Sequence, residues 1–597
     1  MQQRSILFAL TLTMAVACSS GDSPAPPINT PDTSLPDDTG AQEDADSGPP
    51  IDGGSDGGND AGDDAGTDSG PDGDTDGGTD GGTNPQPEPL GPRPTPGLMS
   101  TPAPSPECST DGAQYYVANA PTNGDGSQAS PFNTIQEALN LAMPGDTVWV
   151  MPGEYDVTTR THTARDGTAD ERICLRAFDP DDRPVLTRAG EYGGEFFLIK
   201  HQYFVLDGFV LDGNYAADDF AARYENSDTP GGPRERAFRS MIAVTHWGTC
   251  NGSPESPSSS EVYYDYNGDH AIIRNVSMGH NQVDCLHIAA DDVLVENSEI
   301  HHCLRGTFDT QVDSHCVAVT HARDVRLNHV DIHHCSGDSL QVDADIYNKC
   351  GTQQWDNLRI ENTRLWTSAL QGQHAGWNDG ENPGENGIDT KTFETPEHRV
   401  LRPRVSLVNV EAFGWDNSGY ISTRAVFNVK YRVDWTMDGI NIHGNQYAFR
   451  IRGGYNNEPQ GSATLHMANV LAYDNDNVAR IERYVEDLHI YNSTFANNAN
   501  LFQHADCPDD LCYDTDTYEM FNSLFLGDLA VEGEGSTSNA GVTADCFVDA
   551  ANHDYQLAAG CSAINAGVDV AEVVEDIAGN LRPAGAYDIG AYEHQAD

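Results

Sequence analysis

From residue 114 onward the chain is written in short runs in which apolar and polar residues alternate. This is the period-two pattern of strands with one buried face. The exception is "SPFNTIQEALNLAMPGDTVWV" (130–150), where Thr134 and Glu137 form a capping box and Ile135, Ala138, Leu139 and Ala142 share one face of a short helix. The strand runs recur in units: "NVSMGHNQVDCLHIA" (275), "NSEIHHC" (297), "HVDIHHCSGDSLQV" (329), "NTRLWTS" (362), "NVEAFGWDNSGYIST" (409), "GINIHGNQYAFRI" (439), "NVLAYDNDNVARI" (469), "NSTFANNANLFQH" (492) and "NSLFLG" (522). Their spacing is 22 or 23 residues at its closest and 30 to 47 where loops intervene. Units of this size, opened by Asn or a small residue and without long helical pattern, predict an all-β solenoid whose unit is one coil of a parallel β-helix. The recurrent Asn suits an inward polar ladder at a bend, and the early helix suits a cap over the open end of the solenoid.

Equivalent residues of successive coils stack ~4.8 Å apart, so aligned units predict columns. Aligning "DCLHIA", "HCVAVT", "DSLQVD", "NGIDTK", "YISTR" and "AFRIR" places Leu286, Val317, Leu340, Ile388, Ile421 and Phe449 inside. One outer column then reads His287, Ala318, Gln341, Asp389, Ser422, Arg450, and the next Ala289, Thr320, Asp343, Lys391, Arg424, Arg452. This stripe passes from acidic (Asp338, Asp343, Asp389) to basic (Lys391, Arg424, Arg450, Arg452). It reads either as an ion-pair ladder on an exposed strand face or as a site.

Charge sharpens the contrast. The 597-residue chain carries 93 acidic and 32 basic residues, a net charge of −61. Nineteen of the acids lie in the Asp/Gly/Ser/Pro-rich segment 19–107, leaving about −44 on 108–597. Such a body repels nucleic acid and anionic lipid, and suits a salty medium or divalent cations as partners. Segment 19–107 lacks the apolar content to fold and predicts a disordered tether; its Asp-Gly run lacks EF-hand spacing. Ahead of it, residues 1–18 ("MQQRSILFALTLTMAVAC") form an export signal too short to span a membrane. "AVAC" resembles a bacterial lipobox, which implies lipidation of Cys18 and anchoring to the outer membrane of a Gram-negative cell; Ala15-Val16-Ala17 would also serve an ordinary signal peptidase. The expected organisation is therefore signal (1–18), tether (19–107) and a monomeric solenoid (108–597).

Setting Cys18 aside, twelve of the thirteen cysteines remain, an even number that permits disulfides in an exported protein. Cys285 with Cys316 and Cys303 with Cys335 align in adjacent coils, one step apart and within disulfide reach, or form ladders of reduced thiols. Cys507 with Cys512 and Cys546 with Cys561 are candidates on loops. His280, His302 and His334 fall at one unit position, beside the pair His301 and His333. They read as stacked polar side chains at a bend, or as zinc or copper ligands. Aromatics on the insertions (Trp247, Tyr263, Tyr264, Trp355, Trp377, Trp415) read as loop packing or as sugar-stacking platforms beside the stripe. The insertion 215–270 is long enough to wall a cleft.

The entry "SPFNTIQEALNLAMPGDTVWVMPGEYDV" closely resembles that of right-handed parallel β-helix proteins of the pectate-lyase-like class. The end, "DYQLAAGCSAINAG…DIAGNLRPAGAYDIGAYEH", resembles the terminal segment of many exported bacterial β-helix proteins. Together they span about residues 113 to 594 and imply the fold but not the activity. Within it, "ENGIDTK", "YISTR" and "FRIRGG" resemble the central coils of the chondroitinase B/alginate lyase family. That resemblance implies Lys391 as base, Arg424 as its arginine partner and Glu385 or Asp389 as calcium ligands, although Arg424 is followed by Ala425-Val426 and not by the family's His-Gly. "VEAFGWDNSGY" is similar to a coil of the calcium-dependent pectate lyases. The expectation is a protein acting on an acidic polysaccharide: a β-eliminative lyase with Lys391 and Arg424 catalytic, Arg450, Arg452 and Trp415 binding substrate, and Asp343, Glu385 and Asp389 holding calcium. A lysine serves as base only with a lowered pKa, which nearby arginines favour and Asp389 opposes unless a cation occupies it. The alternative is a non-catalytic carbohydrate-binding or adhesion module using the same face.

Overall fold

Leu286 pairs with Val317, Val317 with Leu340, Leu340 with Ile388, Ile388 with Phe427 and Phe427 with Phe449, each pairing parallel and one coil further along the chain. All six side chains are buried, so the solenoid's core is a stack of like residues. These are features of a computed structural model that describes residues 108–595, except 191, 216–238, 248–265, 311, 344–354, 375, 393–401, 420, 422–423, 431, 453–462, 483–484, 506–517 and 528–535. The signal, Cys18, the tether, Cys507, Cys512, Tyr263, Tyr264, the Trp247 side chain and most of the 215–270 insertion lie outside the described residues.

Two long parallel sheets make the body, a right-handed parallel β-helix. One contains 22 described strands, the other 12. The smaller sheet includes the strands Leu286–Ala289, Val317–Thr320, Leu340–Asp343, Ile388–Thr390, Ala425–Lys430, Tyr447–Arg452, Asn477–Glu482 and Asn500–Ala505.

The larger sheet is creased lengthwise, and the crease explains the Asn that opens each unit. Asn275, Asn297, His329, Asn362, Asn409, Asn469, Asn492 and Asn522 all have φ between 46° and 55°. Asn and His tolerate this left-handed region, whereas other L-residues pay about 1–2 kcal/mol there. Five residues on, a second bend is made by His280, His302, His334, Gly414, Gly444, Asp474, Asn497 and Gly527, again with positive φ. The expected amide ladder is present in part, with Asn409 Nδ2 donating to Asn362 Oδ1 (2.8 Å) and Asn522 Nδ2 to Asn492 Oδ1 (3.2 Å). A second ladder, Asn445 to Asn475 to Asn498, lies inside the other bend.

The helix Ile135–Leu141 forms as expected, with the Thr134 hydroxyl accepting from Glu137 N–H and with Ile135, Ala138, Leu139 and Ala142 buried. Glu137 departs from the capping box, because its carboxylate accepts from Asn123 Nδ2 at 2.7 Å. At the other end residues 558–594 fold back over the crease. Asn492 Nδ2 donates to Asp588 O, Asn522 Nδ2 to Val568 O, and Arg582 Nη2 to Asn469 Oδ1. Among the described residues no helix is long and apolar enough to cross a membrane.

The disulfides correct the sequence pairing. Cys303 and Cys335 are register partners, as expected, but the bonds join Cys285 to Cys303 and Cys316 to Cys335, with Cα–Cα distances of 5.9 and 5.6 Å. Stacked residues project their side chains in parallel, whereas two cysteines on opposite walls of one coil point at each other. Cys546–Cys561 forms as expected, and Cys108–Cys174 ties the first described residue to the larger sheet.

Candidate functional site

The outer face of the smaller sheet carries the charged stripe. One column runs His287, Ala318, Gln341, Asp389, Asn428, Arg450, Arg480, Gln503, and the next contains Thr320 and Asp343, then Lys430, Arg452 and Glu482. Lys391 follows the strand Ile388–Thr390, its N–H donating to Val342 O at 2.8 Å.

Arg424 and Ile421 do not belong to these columns. The chain slips by six residues relative to the sequence alignment, so Phe427 takes the place expected for Ile421, Asn428 that of Ser422, and Lys430 that of Arg424. A slip of six is even, so it leaves the inward–outward alternation intact and the period-two pattern cannot detect it. Arg424 instead lies at the corner before its strand, with no exposed surface. Its Nη2 donates to Pro383 O (2.7 Å) and its Nη1 to Asp416 O (3.2 Å), while burial lowers its pKa to about 10. It is a strut between the backbones of Pro383 and Asp416. Trp415, beside it, is buried in the core and offers no sugar platform. Trp355 and Trp377 are also buried, and Trp355 Nε1 donates to Lys391 O at 2.8 Å.

The acidic end is built from Asp338, Glu385 and Asp389. Asp338 is buried and accepts from the Asn386 N–H (3.2 Å) and Asn386 Nδ2 (2.8 Å). Burial, then the nearby Asp389 charge, pushes its carboxyl up to about 6, against the pull of His315 and Lys391. Glu385 is raised well above the usual range by burial and by Asp338, Asp313 and Asp389. Lys430 Nζ lies 2.7 Å from Asp389 Oδ2, while the buried Oδ1 has no hydrogen-bond partner among the described residues. Lys391 moves opposite to the expectation. Burial alone would lower its pKa, but Asp389, Asp338, Asp343 and Asp313 together raise it.

The basic end is denser than the sequence suggested. Glu482 is buried among three guanidinium groups: Arg450 donates through Nε (2.8 Å) and Nη2 (3.2 Å) and Arg480 through Nε (2.5 Å), while Arg452 Nε lies 3.1 Å away as an ion pair. Burial opposes the charge on Glu482, yet the arginines outweigh it and hold the carboxyl below its ordinary value. Lys430, Arg480 and Glu482 escaped the sequence reading. The signal was there, since "NVARIERY" repeats the alternation of "YAFRIR" and extends both columns by one coil.

The expected calcium ligands do not converge. Among the described residues the groups of three whose ligand atoms all lie within 4.8 Å are His280/His301/His302, His302/His333/His334, Cys303/Cys316/Cys335 and His466/Asp487/His489. Asp343, Glu385 and Asp389 are not among them, because they are spread over two coils and Asp389 is turned onto Lys430. The histidines stack as expected, His301 on His333 and His302 on His334.

Residues 118–162 match the model of a family described as "Protein of unknown function (DUF1565)". No curated protein matches the chain in sequence. Among solved structures, the chain is similar to pectate lyase Pel9A, at 14% identity over 81% of this chain and 96% of that one, with a TM-score of 0.42. It is also similar to an alginate lyase from Paenibacillus sp. str. FPU-7 (14% identity, 62% and 96% covered, TM-score 0.33). A third is the A-module of the mannuronan C-5 epimerase AlgE6 of Azotobacter vinelandii (11% identity, 68% and 93% covered, TM-score 0.36). At these identities the likeness is one of fold.

Proposed function

We propose that the charged face of the smaller sheet binds an acidic, uronate-containing polysaccharide, with Arg450, Arg452 and Arg480 as its carboxylate-binding end. The observation that carries this reading is three guanidinium groups gathered on the single carboxylate of Glu482, a local surplus of positive charge in a chain of net −61. Guanidinium forks match carboxylates in pairs, and Glu482 fixes the three in place. A free protein this acidic repels polyanions at long range, so binding rests on local contact and is sensitive to salt. Anchoring through Cys18 at the outer surface of a Gram-negative cell belongs to the same proposal, since it would place this face among extracellular polymers. Release of a Cys18→Ala variant from the membrane fraction tests that part.

The binding test is titration of the purified chain with alginate, pectate and a neutral glucan. Acidic polymers are expected to bind, with affinity falling at least tenfold in Arg450→Ala or Arg480→Ala. Equal affinity for the neutral glucan would refute the reading. Because the three acidic candidates form no calcium cage, a calcium chelator is expected to leave binding unchanged.

A second reading, β-elimination, is favoured by one observation: Lys391 interacts with the carboxyl of Asp338, and both Asp338 and Glu385, which interacts with Asp338, have raised pKa values that suit a proton donor. In that reaction Lys391 Nζ takes the proton beside the uronate carboxylate, the electron pair forms the new C=C bond, the glycosidic C–O bond breaks, and Glu385 or Asp338 protonates the leaving oxygen. The step needs a neutral Lys391, which the surrounding carboxylates oppose, so binding without cleavage stands first. Ultraviolet absorbance of unsaturated ends separates the two. Absorbance that appears with the native chain and vanishes in Lys391→Arg establishes elimination, because a guanidinium does not give up its proton.

A further inference from the structure

Away from the charged face, six imidazoles crowd the second bend of three coils: His280, His301, His302, His333, His334 and His374. In an extended strand, successive side chains point to opposite faces. Here His302 (φ 50°) and His334 (φ 55°) are left-handed, which brings each onto the same side as the residue before it. His301 Nδ1 lies 2.9 Å from His302 Nδ1, and His333 Nδ1 lies 2.7 Å from His334 Nδ1. Consecutive rings meet almost at right angles, at 85° in both pairs, so their nitrogens converge from two directions and do not form one flat ladder.

We propose that this cluster binds one divalent first-row transition-metal ion, with zinc as its representative, through His302, His333 and His334. Imidazole nitrogens suit zinc, copper and nickel. Ligand atoms of these three residues lie within 4.8 Å of one another, and His333 and His334 are buried. With Zn–N bonds of about 2.0–2.1 Å, two nitrogens on one tetrahedral ion sit roughly 3.3 Å apart, so the 2.7 Å pair need open by only about half an ångström. On the two buried rings the outer nitrogens are already held: His333 Nε2 faces Glu299 Oε1 at 3.4 Å and His334 Nε2 faces Ser368 Oγ at 3.0 Å. A carboxylate or hydroxyl on the outer nitrogen is what orients a metal-binding imidazole.

The scaffold around the cluster is rigid. Each His pair is followed directly by a disulfide cysteine, Cys303 or Cys335, bonded across its own coil. Trp366 stacks on His333 with ring centres 4.3 Å apart. One coil earlier the register partner of His301 is Gly279, where a β-carbon would sit 2.4 Å from His301 Cε1. The group His466/Asp487/His489 differs, because none of its three side chains is buried, whereas His333 and His334 are.

The test uses the full chain without a polyhistidine tag, stripped with chelator and titrated with zinc in a calorimeter. One zinc per chain is expected. His333→Asn and His334→Asn should each weaken it at least tenfold, while His280→Asn and His466→Asn stay within about threefold of the native chain. Cobalt(II) added to the native chain should give the intense visible bands of a low-symmetry nitrogen site, a readout that needs no variant to fold. Less than a tenth of an equivalent of zinc at micromolar concentration would overturn the proposal. So would normal binding by His333→Asn alongside loss in His280→Asn or His466→Asn.

Discussion

Lys430 Nζ lies 2.7 Å from Asp389 Oδ2, and this pair joins the coil that carries Lys391 to the next. The pair replaces the expected contact between Lys391 and Arg424, and Lys430 gives Asp389 its hydrogen bond, while the other carboxylate oxygen is unbonded among the described residues. Removing one partner of a buried pair leaves an uncompensated charge and costs about 3–5 kcal/mol. Lys430→Met is therefore expected to destabilise the body by a few kcal/mol in denaturant unfolding. Adding Asp389→Asn should recover most of the loss. A stable single variant would show that Asp389 is solvated or otherwise neutralised.

Asp338 gives a pH dependence of definite sign. Its carboxyl is raised to about 6 by burial and by Asp389, whereas an unfolded aspartate titrates near ~3.9. Between those values the folded chain holds more protons than the unfolded one, so this group's contribution to stability falls as pH rises through the window. Above it, the ionised carboxylate remains a cost on the order of 3 kcal/mol. Asp338→Asn keeps an acceptor for the two Asn386 donors and removes the charge. The variant should melt above the native chain at pH 7 and match it at pH 4. A native-like melting temperature at both values would count against the raised pKa.

The disulfides predict a fragment pattern. Proteolysis under non-reducing conditions should yield linked peptides joining Cys285 to Cys303 and Cys316 to Cys335, and none joining Cys285 to Cys316 or Cys303 to Cys335. Each bond closes a loop of nearly twenty residues, which in the chain-entropy account contributes about 3 kcal/mol. Cys303→Ala with Cys285→Ala should lower the melting temperature without disturbing the second bond. Recovery of the stacked pairs by mass spectrometry would refute the assignment.

What the sequence made legible, and what it hid, follows from what a period-two pattern can carry. The pattern identifies inward positions, so Leu286, Val317, Leu340, Ile388 and Phe449 were found. It is blind to even slips, so Arg424 was placed in the column position that Lys430 holds. Repetition every coil marked the Asn and His bends, but their left-handed backbone, more than an inward ladder, is why those residue types recur. Alignment located the stacked cysteines yet said nothing about which wall each faces. Lys391 illustrates the last limit: its neighbours in sequence are few, and the four carboxylates that hold it protonated come from four strands and loops.

The C-terminal segment supplies a test of how the crease is sealed. Arg582 has no exposed side-chain surface and spans the gap between segment and solenoid. Its Nη1 donates to Glu593 Oε1 (2.8 Å), its Nη2 to Asn469 Oδ1 (2.7 Å), Gly590 O (3.1 Å) and Ala591 O (3.2 Å), and its Nε to Glu575 O (3.2 Å). Burial lowers its pKa, opposed by Glu593 and Asp576, so the charge is retained only through these partners. Arg582→Met should strand Glu593 and several carbonyls at once, a loss of about 3–5 kcal/mol concentrated in one segment. Because a solenoid's stability is nearest-neighbour in character, the expected result is local release and not global unfolding. Limited proteolysis of Arg582→Met should cut between residues 558 and 594 while the coils before residue 469 stay protected. Arg582→Lys should be cut similarly, since one ammonium cannot reach Glu593, Asn469 and the carbonyls together. Native-like resistance of both variants would show that the segment is held by its apolar contacts, such as Ile589 and Ala591 against Leu524, and not by the arginine.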